Sequence, residues 1–264
     1  MNRLAVLILT KNEEKNIVSC IKNAQQVADE VVVIDSGSTD NTVALAKQCG
    51  ARVAFRAWDD DFSAQRNFAL TQTQEEWVLY LDADERLTDA LVNKIRDIKN
   101  GPVDHGYSIK RVNIAFGHEY HYGAFGPDRV TRLFPRTCIS YVGKGHEHPE
   151  CSVPIADLSE AMQHYTYDSY ASWWNKAGHY TAIWAKEAAA RGKKATAGKA
   201  AGHALLGMFK VYILQGGILE GSMGIIATLQ HGIYTAMKYM KLAEYEKSGG
   251  EKYDTGNFYC SSFR

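Results

Sequence analysis

The sequence has no excess of charge of either sign: 30 Lys and Arg stand against 30 Asp and Glu in 264 residues. Neutralising a nucleic-acid backbone takes a basic surplus, so a general nucleic-acid binder is excluded and only a local basic patch stays open. No C-x-x-C pair occurs. The five cysteines (Cys20, Cys49, Cys138, Cys151, Cys260) are scattered and odd in number. That speaks against a disulfide scaffold or zinc module and for a reduced, cytoplasmic chain. Neither G-x-G-x-x-G nor G-x-x-x-x-G-K-[ST] is present, so no glycine loop cradles a phosphate. Long apolar runs are missing too. The longest uncharged run in the C-terminal part, Gly221 to Met237, falls short of the roughly 20 residues a membrane span needs. The opening run LAVLILT ends at Lys11 and Glu13 without a small-residue cleavage site, and reads as a first strand rather than a signal peptide.

What is present is a core-forming chain, 45% hydrophobic, with apolar strands and amphipathic helices in alternation. LAVLILT (4–10), VVVID (31–35), ARVAF (51–55) and WVLYLD (77–82) are short, β-branched or aliphatic runs suited to strands buried on both faces. Helical stretches follow each: IVSCIKNAQQV, ALAKQ, FSAQRNFALTQT, and LTDALVNKIRDI with a cap near Thr88. This alternation predicts a parallel α/β sheet. After Gly101, YSIKRVNIAFG and DRVTRLFPR alternate like half-exposed strands and extend the sheet into a mixed one. From about Asp168 to Glu246 the chain reads as helical. The expected division is 1–167, 168–246 and a polar tail 247–264, with Cys151 to Pro154 the nearest thing to a hinge.

In an open parallel sheet, ligands bind outside the carboxyl ends of the strands. Here those ends carry Thr10-Lys11-Asn12-Glu13, Asp35, and Asp82-Ala83-Asp84-Glu85. Three carboxylates within four positions repel one another unless a cation or a donor-rich ligand lies between them. Mg²⁺ or Mn²⁺, held by one or two carboxylates plus substrate phosphates, fits that need. Taken alone, Asp35 also suits a capping turn. His164 equally suits a satisfied core histidine, and Arg132 a structural salt bridge.

In order and at these intervals, ILTKNEEKNI, VVVIDSGSTDNT, Gln65-Arg66-Asn67 and LYLDADE resemble family 2 glycosyltransferases of the GT-A fold. Arg132-Leu133-Phe134, Gly143-Lys144-Gly145-His146-Glu147, His164-x-x-Tyr167 and YILQGGILEGSMG extend the likeness to bacterial lipopolysaccharide inner-core glucosyltransferases. Two departures stand out: Asp35 is followed by Ser where many relatives have a second Asp, and Gly145 stands where Val is usual.

The resemblance implies a GT-A fold with a helical C-terminal appendage and a nucleotide-diphospho-sugar donor, UDP-glucose first. Thr10, Asn12, Glu13, Asp35, Arg66 and Asp82 would bind that donor. The divalent cation would sit on Asp84, with Asp82 and His164 as further ligands. Inverting transfer needs a base to take the acceptor proton. Glu147 is the candidate and His146 its competitor. In a strand, His146 and His148 share a face opposite Glu147, which weakens a metal reading of His-Glu-His. The loop GHEYHYG offers Tyr122 to stack on a sugar, though a plain turn fits it as well. Arg132 is a candidate for acceptor phosphates. The acceptor expected is a lipopolysaccharide inner-core heptose or another membrane-linked glycan, with other surface polysaccharides or a protein as alternatives.

Lys186, Arg191, Lys193, Lys194 and Lys199 precede the apolar tail, as a peripheral anionic membrane surface would select. Packing within the fold or in a homo-oligomer serves equally. Two other classes stay open at this point: a phosphohydrolase using Asp82 as nucleophile, and a membrane-surface adaptor. The first usually places D-x-D on the first strand, and the second leaves the strand-end acids unexplained.

Overall fold

The structure, a computed structural model, describes residues 2–143 and 147–248. Strands β1 (Leu4–Thr10), β2 (Glu30–Asp35), β3 (Arg52–Phe55) and β4 (Trp77–Asp82) alternate with helices α1 (Ile17–Ala24), α2 (Thr42–Gln48) and α3 (Phe62–Thr71). Then come β5 (Glu85–Leu87), α4 (Asp89–Lys99), β6 (Gly106–Ala115), β7 (His118–Glu119), β8 (Asp128–Pro135), β9 (Ile139–Val142), β10 (His148–Cys151) and β11 (Ile155–Tyr167). Helices α5 (Tyr170–Ala190), α6 (Ala197–Phe209) and α7 (Gly221–Lys247) complete the described chain.

The main sheet runs β3-β2-β1-β4-β8-β6-β11-β5, with β7 on β6 and a separate β9–β10 pair. Its first four strands are parallel, and β8 adds antiparallel to β4. The expected mixed sheet is therefore observed. Every residue of β1 is buried, because the strand lies between two others and under helices on both faces. Leu4, Val6 and Ile8 pack with α1 and α4 residues on one face. Ala5, Leu7 and Leu9 pack with Ala69, Tyr80 and Phe134 on the other. Asp61 starts α3 by accepting from Ala64 N at 2.9 Å. Thr88 starts α4 by accepting from Leu91 N at 3.3 Å, as its position before the helical run predicts.

The described chain forms two compact units: 2–111 with 128–164, and 112–127 with 165–248. The sequence suggests one cut after residue 167; instead the units interleave, and the loop at 112–127 joins the helices. Cys151 to Pro154 is a tight link between β10 and β11 inside the first unit, so it is no domain hinge. The helical tail is also broken. Gly192 ends α5 with a left-handed φ of 70°, and Gly216 does the same at φ 73° after a π turn over Lys210–Leu214. The polar tail from 249 onward lies outside the described residues.

Candidate functional site

Sheet register assembles the strand-end acids of the first unit. Thr10 pairs with Asp35, and Leu9 pairs with Asp82 on the other side. Thr10, Asp35, Asp82 and Asp84 are all buried. Asp35 accepts from Gly37 N at 2.9 Å and from Ser38 N at 3.1 Å, so its carboxylate folds the turn after β2. Asn12, at φ 57°, accepts from Thr39 N at 2.7 Å and donates its own N–H to Ser38 Oγ at 2.9 Å. It ties the loops after β1 and β2 together. Glu13 accepts from Asn16 Nδ2 at 2.7 Å, and its N–H donates to Thr42 Oγ1 at 2.7 Å. The Thr10 hydroxyl has no hydrogen-bond partner.

The three clustered carboxylates find three different environments. Asp82 is paired with Arg132 and lies 3.6 Å from Arg66 Nη2. Glu85, fully buried, accepts from Asp82 N at 2.9 Å, and from Arg111 and Arg132 at 3.1 Å each. Burial alone would push the Glu85 carboxyl up, but Arg132 and then Arg111 outweigh it and hold it below the usual range. In return Asp82 and Glu85 keep Arg132 charged against the desolvation that opposes it. Asp84 differs. It is 2% exposed, and neither carboxylate oxygen has a hydrogen-bond partner. Its neighbour is His164, whose Nε2 lies 3.4 Å from Oδ2. Pairing of β11 with β5, with His164 opposite Glu85, brings that imidazole there.

This arrangement separates residues that sequence grouped together. Arg132 is buried and engaged by acids, the structural bridge of the two readings. Asp82 pairs with Arg132 through Oδ2, while its Oδ1 has no hydrogen-bond partner; Asp84, beside His164, has none on either oxygen. A buried carboxylate with both oxygens unbonded is costly unless something positive completes it. A buried carboxylate suits Mg²⁺ or Mn²⁺ bound together with phosphate oxygens. No cluster of three or more His, Cys, Asp or Glu able to hold a metal occurs among the described residues.

Helix α3 explains Gln65-Arg66-Asn67 physically. Gln65 donates to Ser36 Oγ at 2.6 Å and braces the loop after β2. Arg66 lies over the rings of Tyr80 and Tyr141, 5.4 and 5.3 Å from their centroids. Asn67 exchanges two 2.8 Å hydrogen bonds with the backbone of Tyr141 on β9. Glu147 is half-buried just before β10. Burial raises the Tyr141 phenol pKa, Arg66 and Arg132 oppose this, and the charges of Asp82 and Glu147 add to the rise. His146 lies outside the described residues. Tyr122, in the second unit, is exposed. Sequence reasoning missed Glu85 and Arg111 as partners; they pair across 26 residues, and no local pattern signals it.

Residues 5–136 match the family described as Glycosyl transferase family 2. The chain belongs to that family. Its sheet is the GT-A-like one expected, with the helical C-terminal region added. The family decides against the phosphohydrolase and adaptor readings. The chain is 28% identical over 261 residues to an uncharacterized glycosyltransferase of Rickettsia felis, covering 94% of this chain and 91% of that one. Among solved structures it is similar to S. aureus TarS (15% identity, TM-score 0.46, 69% of this chain and 39% of that one). It is also similar to glucosyl-3-phosphoglycerate synthase from Mycobacterium tuberculosis in complex with Mn2+ and UDP-Glc (23% identity, TM-score 0.34, 44% of each chain).

Proposed function

We propose that this family 2 glycosyltransferase moves a sugar, with inversion, from a nucleotide-diphospho-sugar to a hydroxyl of a membrane-linked glycan. UDP-glucose is the first donor to test and a lipopolysaccharide inner-core heptose the first acceptor. The reaction would run on the cytoplasmic side of a membrane. One observation carries the reading: the buried Asp84 carboxylate with two unbonded oxygens beside His164. Asp84 and His164 would hold Mg²⁺ or Mn²⁺, which when bound supplies Lewis-acid stabilisation of charge on the departing diphosphate. Arg132 and Arg66 hold Asp82 fixed, so it can accept from a ribose hydroxyl without reorganising. The unbonded Thr10 hydroxyl supplies a further polar contact. Glu147 would take the proton of the acceptor hydroxyl as its oxygen bonds to the anomeric carbon and the diphosphate leaves. Tyr122 is the aromatic face assigned to an acceptor sugar.

Calorimetric titration of UDP-glucose, with and without Mn²⁺, tests this. Wild type should bind more tightly with the metal. Asp84→Asn should lose that gain, about a hundredfold. Glu147→Gln should keep binding and lose turnover by roughly 10²–10⁴-fold. Failure of UDP-glucose together with a panel of other nucleotide sugars would overturn the proposal.

A further inference from the structure

Helix α6 poses a problem that the second unit does not solve by itself. It is apolar nearly all round, with only Lys199 and His203 as strongly polar side chains, yet none of its residues is buried. A helix of this composition normally lies inside a core or a membrane. Leu205, Leu206, Phe209, Leu214, Leu219 and Leu229 are all exposed. Leu206, Leu214 and Leu219 reach 69, 70 and 68%. Scattered exposed leucines need no explanation, but a run of them across one helix junction does.

Basic residues outnumber acidic ones around the patch. From residue 193 to 247 the chain carries Lys193, Lys194, Lys199, Lys210, Lys238, Lys241 and Lys247 against Glu220, Glu244 and Glu246. Two of these acids are engaged within the fold, Glu246 by accepting from Ala195 N at 3.4 Å. Glu220 pairs with His118 Nε2 at 2.7 Å and accepts from His121 N and Tyr122 N at 2.7 and 2.8 Å. Lys193 and Lys238 both lie over Trp184, 5.8 and 5.5 Å from its ring, so basic groups and an aromatic ring meet at one rim.

No single described helix is long and apolar enough to cross a membrane. Ala197–Leu214 with Gly217–Lys247 meets that length and composition only as a pair bent by 72°. The bend is built in, because a Cβ on Gly224 would run into the carbonyl oxygen of Gly217. A bent apolar pair with lysines towards its ends and Lys210 alone at the bend suits insertion into one leaflet, with its charges, Lys210 by its long stem, at the headgroups.

We propose that the bend between α6 and α7 is a membrane-docking element that inserts into one leaflet of an anionic bilayer. The lysines complement acidic headgroups, and the exposed leucines and Phe209 enter the acyl boundary. Glu220 then ties the aromatic loop 118–122 to the inserted bend. Gly123 N donates to Gln215 O at 2.9 Å and fixes the same joint. The surface assignment stands without sugar transfer; delivery of a lipid-linked acceptor to Tyr122 rests on the function proposed above.

The test is flotation of the full chain with vesicles of phosphatidylcholine, alone or mixed with phosphatidylglycerol. The L206E/L214E/L219E variant changes only exposed side chains, so circular dichroism should match wild type. Wild type should float with the mixed vesicles, less so at high salt. The variant should lose at least about tenfold of that binding. UDP-glucose titration should be unchanged in the variant, which separates failure here from failure of the donor site. Wild type staying at the bottom with anionic vesicles would overturn the proposal. So would equal flotation by the variant, or a sedimentation mass of a dimer that the variant converts to monomer without any vesicle binding.

Discussion

At the scale of single residues, the site is an exercise in distributing charge. Three carboxylates arrive together because β4 ends at Asp82 and β5 begins at Glu85. Two are compensated by arginines from strands far along the chain, and one is left facing an imidazole. This partition follows from burial: a desolvated carboxylate must be paired or must neutralise itself. Removing one partner of a buried pair leaves an uncompensated charge and costs about 3–5 kcal/mol. Arg132 serves Asp82 and Glu85 at once. Arg132→Met should therefore lower unfolding stability by about that amount in urea titration. A loss below about 1 kcal/mol would mean water already reaches the pair. The carboxylates themselves were visible in LYLDADERL. Their partners were not, since Arg111 and Arg132 reach them only after β6 and β8 have joined the sheet.

At the scale of elements, the strands were the most legible part. β1 and β4 span the same residues as the apolar runs that announce them, because a strand buried on both faces has no polar position to blur its ends. The short strands β5, β7, β9 and β10 carry no such signal. Their two to four residues exist by pairing, β7 with the end of β6, β9 with β10, and β5 with the distant β11. The tail shows the opposite failure. Composition reads as continuous helix, and the breaks at 191–196 and 210–220 come from glycines and close backbone approaches that hydrophobic pattern does not encode.

One joint in that tail is also titratable. Burial would raise the Glu220 carboxyl, but its bonds from His118 and from the His121 and Tyr122 amides outweigh burial and lower it. A lowered folded pKa means the contribution is complete above the ordinary glutamate value, about 4.3, and is lost as pH falls through the lowered value. Hydrogen exchange should show protection of the His121 and Tyr122 amides that is flat from neutral pH down to that region and falls below it. Glu220→Gln should lower protection at neutral pH and remove the acid-side change. Protection that ignores the substitution would mean the loop is held by its aromatic packing instead, through Tyr120, Phe116 and Phe125.

At the scale of the whole molecule, two kinds of surface are divided between two compact units. The first unit holds every residue proposed for the donor site, down to His164 at its last described position. The second holds Tyr122, Glu220 and the apolar bend. The proposed function, with a soluble nucleotide sugar and a lipid-linked acceptor, would give a physical reason for this division. One ligand needs buried charge to neutralise a diphosphate, and the other needs exposed apolar area to meet a bilayer. These demands cannot be met by one surface, because apolar area that welcomes lipid offers nothing to a phosphate. The two ligands should therefore protect different parts of the chain in hydrogen exchange read by mass spectrometry. UDP-glucose with Mn²⁺ should slow exchange at the ends of β1, β2 and β4 and along α3. A ligand held at a hundred times its Kd stabilises the states that bind it by about 2.7 kcal/mol, enough to register as strong slowing there. Anionic vesicles should slow exchange across 205–229 and leave the strand ends unchanged. Asp84→Asn should erase the first pattern alone, and L206E/L214E/L219E the second alone. If either ligand protected both regions in wild type, donor and lipid binding would be coupled, and the division of labour drawn from the two units would have to give way to a concerted one.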